Sequence, residues 1–154
     1  MKRDARIAAI ALGSAATAIL SAAILCTWAV AQGASMRWRL PFRALCHGII
    51  ARCLTLWGTP MPICARCSAI YAGLVIGSLL FSATWKWIDP RIMRGLLVLA
   101  ALPIAVDGIT QAIGLRQSTN FLRLATGFPV AVMLALWLLA TVQRASAERV
   151  KSEG

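Results

Sequence analysis

The sequence has little charge. Only 14% of its 154 residues are Asp, Glu, Lys or Arg, and 60% are hydrophobic. A water-soluble domain carries about 25% charged and about 45–50% apolar residues. A soluble globular protein is therefore excluded, and the mean hydropathy of +0.76 points to a polytopic membrane bundle. Acidic residues are scarcer still, five against 16 Lys and Arg, which gives a formal charge of +11. Nucleic acid is nevertheless not an expected partner. No polar helix exists to carry a solvated basic face, and the cations fall in the gaps between apolar runs. There they read as topology signals and headgroup contacts. No strand alternation, internal repeat or low-complexity segment is visible. Histidine occurs once.

Four apolar runs are present. Residues 7–31 follow a basic start and carry no charge. A bilayer takes about 20 apolar residues to cross, and a signal-peptide core is only about 7–15 long. This run therefore reads as a retained helix, with a cleaved signal as the competing reading because Ala29-Val30-Ala31 is small-x-small. Cys26 within it reads as a small buried apolar residue. Further spans are expected at about 69–85, 95–113 and 124–142. The expected fold is all-α, an integral membrane bundle of four transmembrane helices forming a single domain over 1–154. Gly73 and Gly77 form a small-xxx-small face for a second helix. Arg37, Trp38, Arg39, Phe42 and Arg43 suggest either a segment lying among headgroups or an ordinary connecting loop. The tail from residue 143 is polar and is expected to fray.

Four of the five cysteines and the only histidine lie in residues 46–67. Gly58, Thr59, Pro60 and Pro62 force that segment to turn before Cys64. Cys64-Ala65-Arg66-Cys67 is a Cys-x-x-Cys, which lets two thiolates reach one ion from a turn. Cys46 and His47 complete a candidate zinc set. Side chains of adjacent residues tend to diverge, so one of that pair is expected to bind while the other packs. Three alternatives stay open: zinc binding, thiol–disulfide exchange helped by a helix N-terminus and an arginine, and a static staple. A c-type haem is disfavoured because Ser68 follows the Cys-x-x-Cys.

With four spans, residues 46–67 and 107–123 share one membrane face. Asp107 and Gln111 are four apart and share a helix face. A carboxylate at that depth needs a partner, for which Arg66, Arg116 and Arg123 are the candidates. Asp107 and Gln111 are the candidate proton-handling residues. Arg52, Arg66, Arg116, Ser118, Asn120 and Arg123 are the candidate anion-binding residues, helped by the N-termini of spans two and four, the latter capped by Thr119 or Asn120. Membrane lipids are the expected partners, including an anionic lipid or a lipid-linked ligand. Nine of the 16 Lys and Arg fall on the side of the termini and seven on the other. That leans towards cytoplasmic termini in a prokaryotic inner membrane.

The chain resembles a family of small prokaryotic membrane proteins catalogued as a domain of unknown function. The resemblance rests on Cys46-His47, Arg52, Gly58, Pro62, Cys64-Ala65-Arg66-Cys67 and Ile70-Tyr71-Ala72-Gly73. A second block carries it further: Asp107-Gly108, Gln111, Arg116, Ser118, Asn120, Arg123 and Thr126-Gly127. It covers about residues 41–130. Cys53 departs from the pattern, in which a serine follows the arginine, and this weakens a Cys46–Cys53 shuttle pair. The resemblance implies one composite site and no particular reaction. A fainter similarity links the chain to the quinone-reducing disulfide oxidoreductases of bacterial inner membranes. Those need a cysteine pair in a second external loop, and residues 114–123 have none.

Overall fold

The computed structural model describes Met1, residues 3–115 and residues 117–152. Lys2, Arg116, Glu153 and Gly154 lie outside the described residues, and with them the anion-binding expectation for Arg116. Four long helices form the body: α1 (Arg3–Ala31), α2 (Ala65–Thr84), α3 (Pro90–Ala112) and α4 (Asn120–Ser152). All four are long and apolar enough to cross a membrane. Most large apolar side chains point outwards, as they must where the solvent is hydrocarbon.

The interior is built on small residues. In α1 the buried face carries Ala5, Ala9, Ala16 and Ala23, each 3% exposed or less. In α2, Gly73 and Gly77 bring the backbone against α4. A Cβ on Gly73 would meet Phe128 O at 2.6 Å and Ala131 Cβ at 2.7 Å, and one on Gly77 would meet Ala135 Cβ at 2.7 Å. The small-xxx-small face is thus the α2–α4 contact. Helix α3 packs mainly on α4, and Asp107 is its one buried side chain. The apolar clusters sit at the two ends of the bundle. One centres on Phe81, Val132 and Leu139; the other holds Ile63, Met61, Ala23 and three cysteines.

That second end carries all the irregular structure between α1 and α2. A 3-10 helix spans Met36–Ala44 and exposes Met36, Trp38 and Leu40. Arg39 Nη2 donates to Met61 O at 2.8 Å and ties this helix to the hairpin behind it. The hairpin corrects the expectation of no strands: β1 (Cys53–Leu56) pairs antiparallel with β2 (Thr59–Cys64). Its two-residue turn, Trp57-Gly58, has positive φ at both positions, 50° and 72°, the geometry that suits a right-twisted hairpin. Pro60 and Pro62 cannot donate to the ladder. They hid the strand in the sequence, and the register is irregular between Cys53 and Thr55.

The helix boundaries also differ from expectation. Helices α2, α3 and α4 start four or five residues before the apolar runs do. Their polar first turns face protein or solvent at the ends of the bundle, so hydropathy does not mark them. The tail does not fray, since α4 continues to Ser152. Ser146 Oγ donates to Asp4 Oδ2 at 2.9 Å, and Arg144 pairs with Glu148 at 3.1 Å.

Candidate metal and anion site

The hairpin delivers Cys64 to the N-cap of α2 with extended backbone, φ −73° and ψ 161°. Cys53 lies opposite it across the ladder. Residues 46–49 have no regular structure, so neighbouring side chains there are free to converge. They do: Cys46 Sγ lies 3.6 Å from His47 Nδ1 and accepts from Cys64 N at 3.3 Å. The ligand atoms of Cys46, His47 and Cys64 all lie within 4.8 Å of one another. Cys46 and His47 therefore both turn towards Cys64, and the contact between them is one in which one of the pair can bind an ion while the other hydrogen-bonds. Cys46 and Cys64 are buried and His47 is exposed. Cys67, one turn into α2, contacts Cys64 but is not part of this three-way group. All five cysteines are free thiols.

The Cys64 thiol is pulled down to about 5. The largest cause is the hydrogen bond from the Cys67 thiol; the Cys67 backbone, the Cys46 thiol and the charge of His47 act the same way, against burial. Cys53 moves in the opposite direction, to about 11. Burial is the main cause, Cys46 and Cys64 add to it, and Arg39 partly offsets them. Its thiol donates to Ile49 O at 3.2 Å. One thiol is thus prepared to act as a thiolate and its cross-strand neighbour is not.

The second block arrives from α3 and α4. Arg66, in the first turn of α2, forms an ion pair with Asp107, which is 2% exposed. Gln111 Nε2 donates to the same carboxylate oxygen at 2.8 Å. Its carbonyl oxygen accepts from Arg123 Nη2 at 3.0 Å. Arg123 Nη1 donates to Asn120 Oδ1 at 3.2 Å, and Asn120 Nδ2 donates to Cys53 O at 3.1 Å. This chain of bonds runs from α2 through α3 and α4 back to the hairpin. Gln111 donates to a carboxylate on one side and accepts from a guanidinium on the other, which its amide can do because it carries both a donor and an acceptor. Thr119 caps α4, its hydroxyl accepting from Leu122 N at 3.3 Å.

A cavity of about 300 Å³ lies between the two blocks. Cys46, His47, Cys64 and Cys67 line one part, and Arg52, Arg66, Gln111 and Arg123 another. A second cavity of about 410 Å³ adjoins it and adds Gln117 and Ser118. Apart from Arg116, every expected site residue lines one of these cavities or, like Asp107 and Asn120, bonds directly to a residue that does. Asn120 acts as a tether for Arg123 and the hairpin. Sequence reasoning missed the lining residues Leu45, Ile70 and Gln117, which carry no chemical signature.

A four-helix membrane protein with a Cys/His cluster facing an arginine wall is the class these features define. Residues 46–137 match the family described as "Predicted membrane protein (DUF2085)". The chain belongs to that family. It is 37% identical over 99 residues to an uncharacterised protein of Methanocaldococcus jannaschii, covering 64% of each chain. It is 35% identical over 96 residues to an uncharacterised protein of Methanothermobacter thermautotrophicus, covering 62% of this chain and 85% of the other. The match thus spans less than two thirds of the first relative's length. No solved structure matches the chain.

Proposed function

We propose that this protein is a membrane metalloprotein in which Cys46, His47 and Cys64 hold a zinc-like ion beside an anion site for a lipid or lipid-linked substrate. One observation carries the reading: three soft or borderline donors within 4.8 Å of one another, on a cavity whose other wall holds three arginines. Two thiolates and an imidazole suit zinc, and a fourth position remains for Cys67 or for a ligand in the cavity. Such an ion polarises a bound oxygen or activates water. In this reading Arg52, Arg66 and Arg123, with Ser118 on the adjoining cavity, receive an anionic group. Asp107 and Gln111 hold Arg66 and Arg123 in place, because Asp107 is already engaged by Arg66. Cytoplasmic termini in a prokaryotic inner membrane complete the proposal, and a C-terminal fluorescent-protein fusion that stays dark would reject that orientation.

The test is metal analysis of detergent-purified protein combined with thiol counting. The expected result is about one zinc per chain with all five cysteines reduced. A metal-free chain with a Cys64–Cys67 disulfide would favour the second reading, membrane thiol–disulfide exchange. That alternative is supported by the lowered Cys64 thiol and its contact with Cys67.

A further inference from the structure

Two cavities meet at the site end of the bundle, and the wall between them is cationic. The cavity facing the cysteines and the adjoining one share Arg52, Gln111 and Arg123. Arg123 is only 6% exposed. Its acceptors are nevertheless two neutral amide oxygens, from Gln111 and Asn120. The nearby carboxylate, Asp107, is engaged by Arg66. A buried guanidinium without an anion of its own is costly, and a bound anion removes that cost. Arg66 Nε is a further buried donor with no acceptor among the described residues. An orphan donor of this kind calls for an explanation, and a ligand oxygen supplies one.

The charge count sets the ligand. Among the described residues that line the arginine wall or pair with it, Arg52, Arg66 and Arg123 against Asp107 leave two positive charges. This inference deepens the anion site of the reading above and rests on it. A phosphate monoester carries about −1.5 to −2 near neutral pH, whereas a diester carries a single charge. Arginine forks match phosphate oxygens bidentately. Leu45 and Ile70 give the cavity an apolar part, and Leu45 is 44% exposed. Immediately before Leu45, the 3-10 helix exposes Met36, Trp38 and Leu40 beside Arg37 and Arg43, a composition that seats at headgroup depth.

We propose that the site binds the dianionic phosphate of a lipid phosphomonoester. The phosphate lies on Arg52 and Arg123 at the wall shared by the two cavities, and the lipid chain leaves past Leu45 and Ile70. Ser118 and Gln117 give the second cavity polar groups for the remaining phosphate oxygens.

The test uses the full chain, zinc-loaded in neutral detergent, with metal content measured on the same sample. Dodecyl phosphate, its methyl diester and inorganic phosphate are titrated by calorimetry. Dodecyl phosphate should bind at least about tenfold more tightly than either of the others, a difference of about 1.4 kcal/mol. Arg123→Gln and Arg52→Gln should each weaken it about tenfold while zinc content stays unchanged. Arg52 is half-buried, so its variant keeps the test valid if Arg123→Gln fails to fold. Equal binding of the diester overturns the dianion, and equal binding of inorganic phosphate overturns the lipid source. Binding unchanged by Arg52→Gln, or by a folded Arg123→Gln, overturns the placement. Zinc retained without phosphate binding rejects this inference alone. Selective binding by a chain that holds no zinc rejects the metal reading alone.

Discussion

Arg66 and Asp107 stand 41 positions apart and join the two halves of the site. The sequence signalled that Asp107 needed a partner, because a carboxylate in an apolar run cannot stay alone. Which arginine answers depends on helix rotation, which composition does not record. Asp107→Asn leaves the Arg66 charge uncompensated in a part-buried place. It should lower unfolding stability in detergent by about 3 kcal/mol, and adding Arg66→Gln should recover part of the loss. An unchanged unfolding midpoint for Asp107→Asn would mean that the pair contributes nothing. Cys64 and Cys53 give a second prediction at this scale. A thiol held at about 5 is mostly thiolate in the neutral range, so in metal-free protein the alkylation of Cys64 should level off about one pH unit above that value. That of Cys53, pushed up to about 11, should still climb in the alkaline range. Peptide mass spectrometry of alkylated protein follows each cysteine separately, and parallel pH curves for the two would refute the assignment.

Among the elements, the α2–α4 contact was legible and the hairpin was not. Gly73 and Gly77 sit four apart in an apolar run, and only a close helix approach explains that spacing economically. Gly73→Ala would drive a Cβ into Phe128 O and Ala131 Cβ. It should cost about 1–3 kcal/mol by the overpacking rule. Gly108→Ala meets nothing within 4 Å. It should leave the melting temperature unchanged or raise it, since alanine favours a helix over glycine by up to about 1 kcal/mol. Equal melting temperatures for the two variants in detergent would show that the close approach is not stabilising. The hairpin escaped detection because two prolines interrupt β2 and because it packs Ile63 against Ala23 and Cys46 rather than displaying an alternating face. Helix starts were misplaced for a related reason. Arg66, Cys67 and Arg123 are polar first-turn residues that serve the site, so hydropathy assigned them to loops.

Across the whole molecule, counting spans was enough to bring residues 46–67 and 107–123 to one end of the bundle. The Arg66–Asp107 pair and the Asn120 tether to Cys53 O bear that convergence out. Counting spans could not reveal the convergence of Cys46 with its neighbour His47, which depends on an irregular turn. Nor could it reveal that Arg123 donates to the amide oxygens of Gln111 and Asn120 while Asp107 pairs with Arg66. The central claim is that Cys46, His47 and Cys64 form one metal centre on the arginine-lined cavity. X-ray absorption at the zinc edge of loaded protein tests it most directly. The account predicts two sulfurs at about 2.3 Å and one imidazole nitrogen at about 2.0–2.1 Å, with one sulfur lost in Cys64→Ser. A shell of light atoms alone, or a sulfur count untouched by Cys64→Ser, would contradict it.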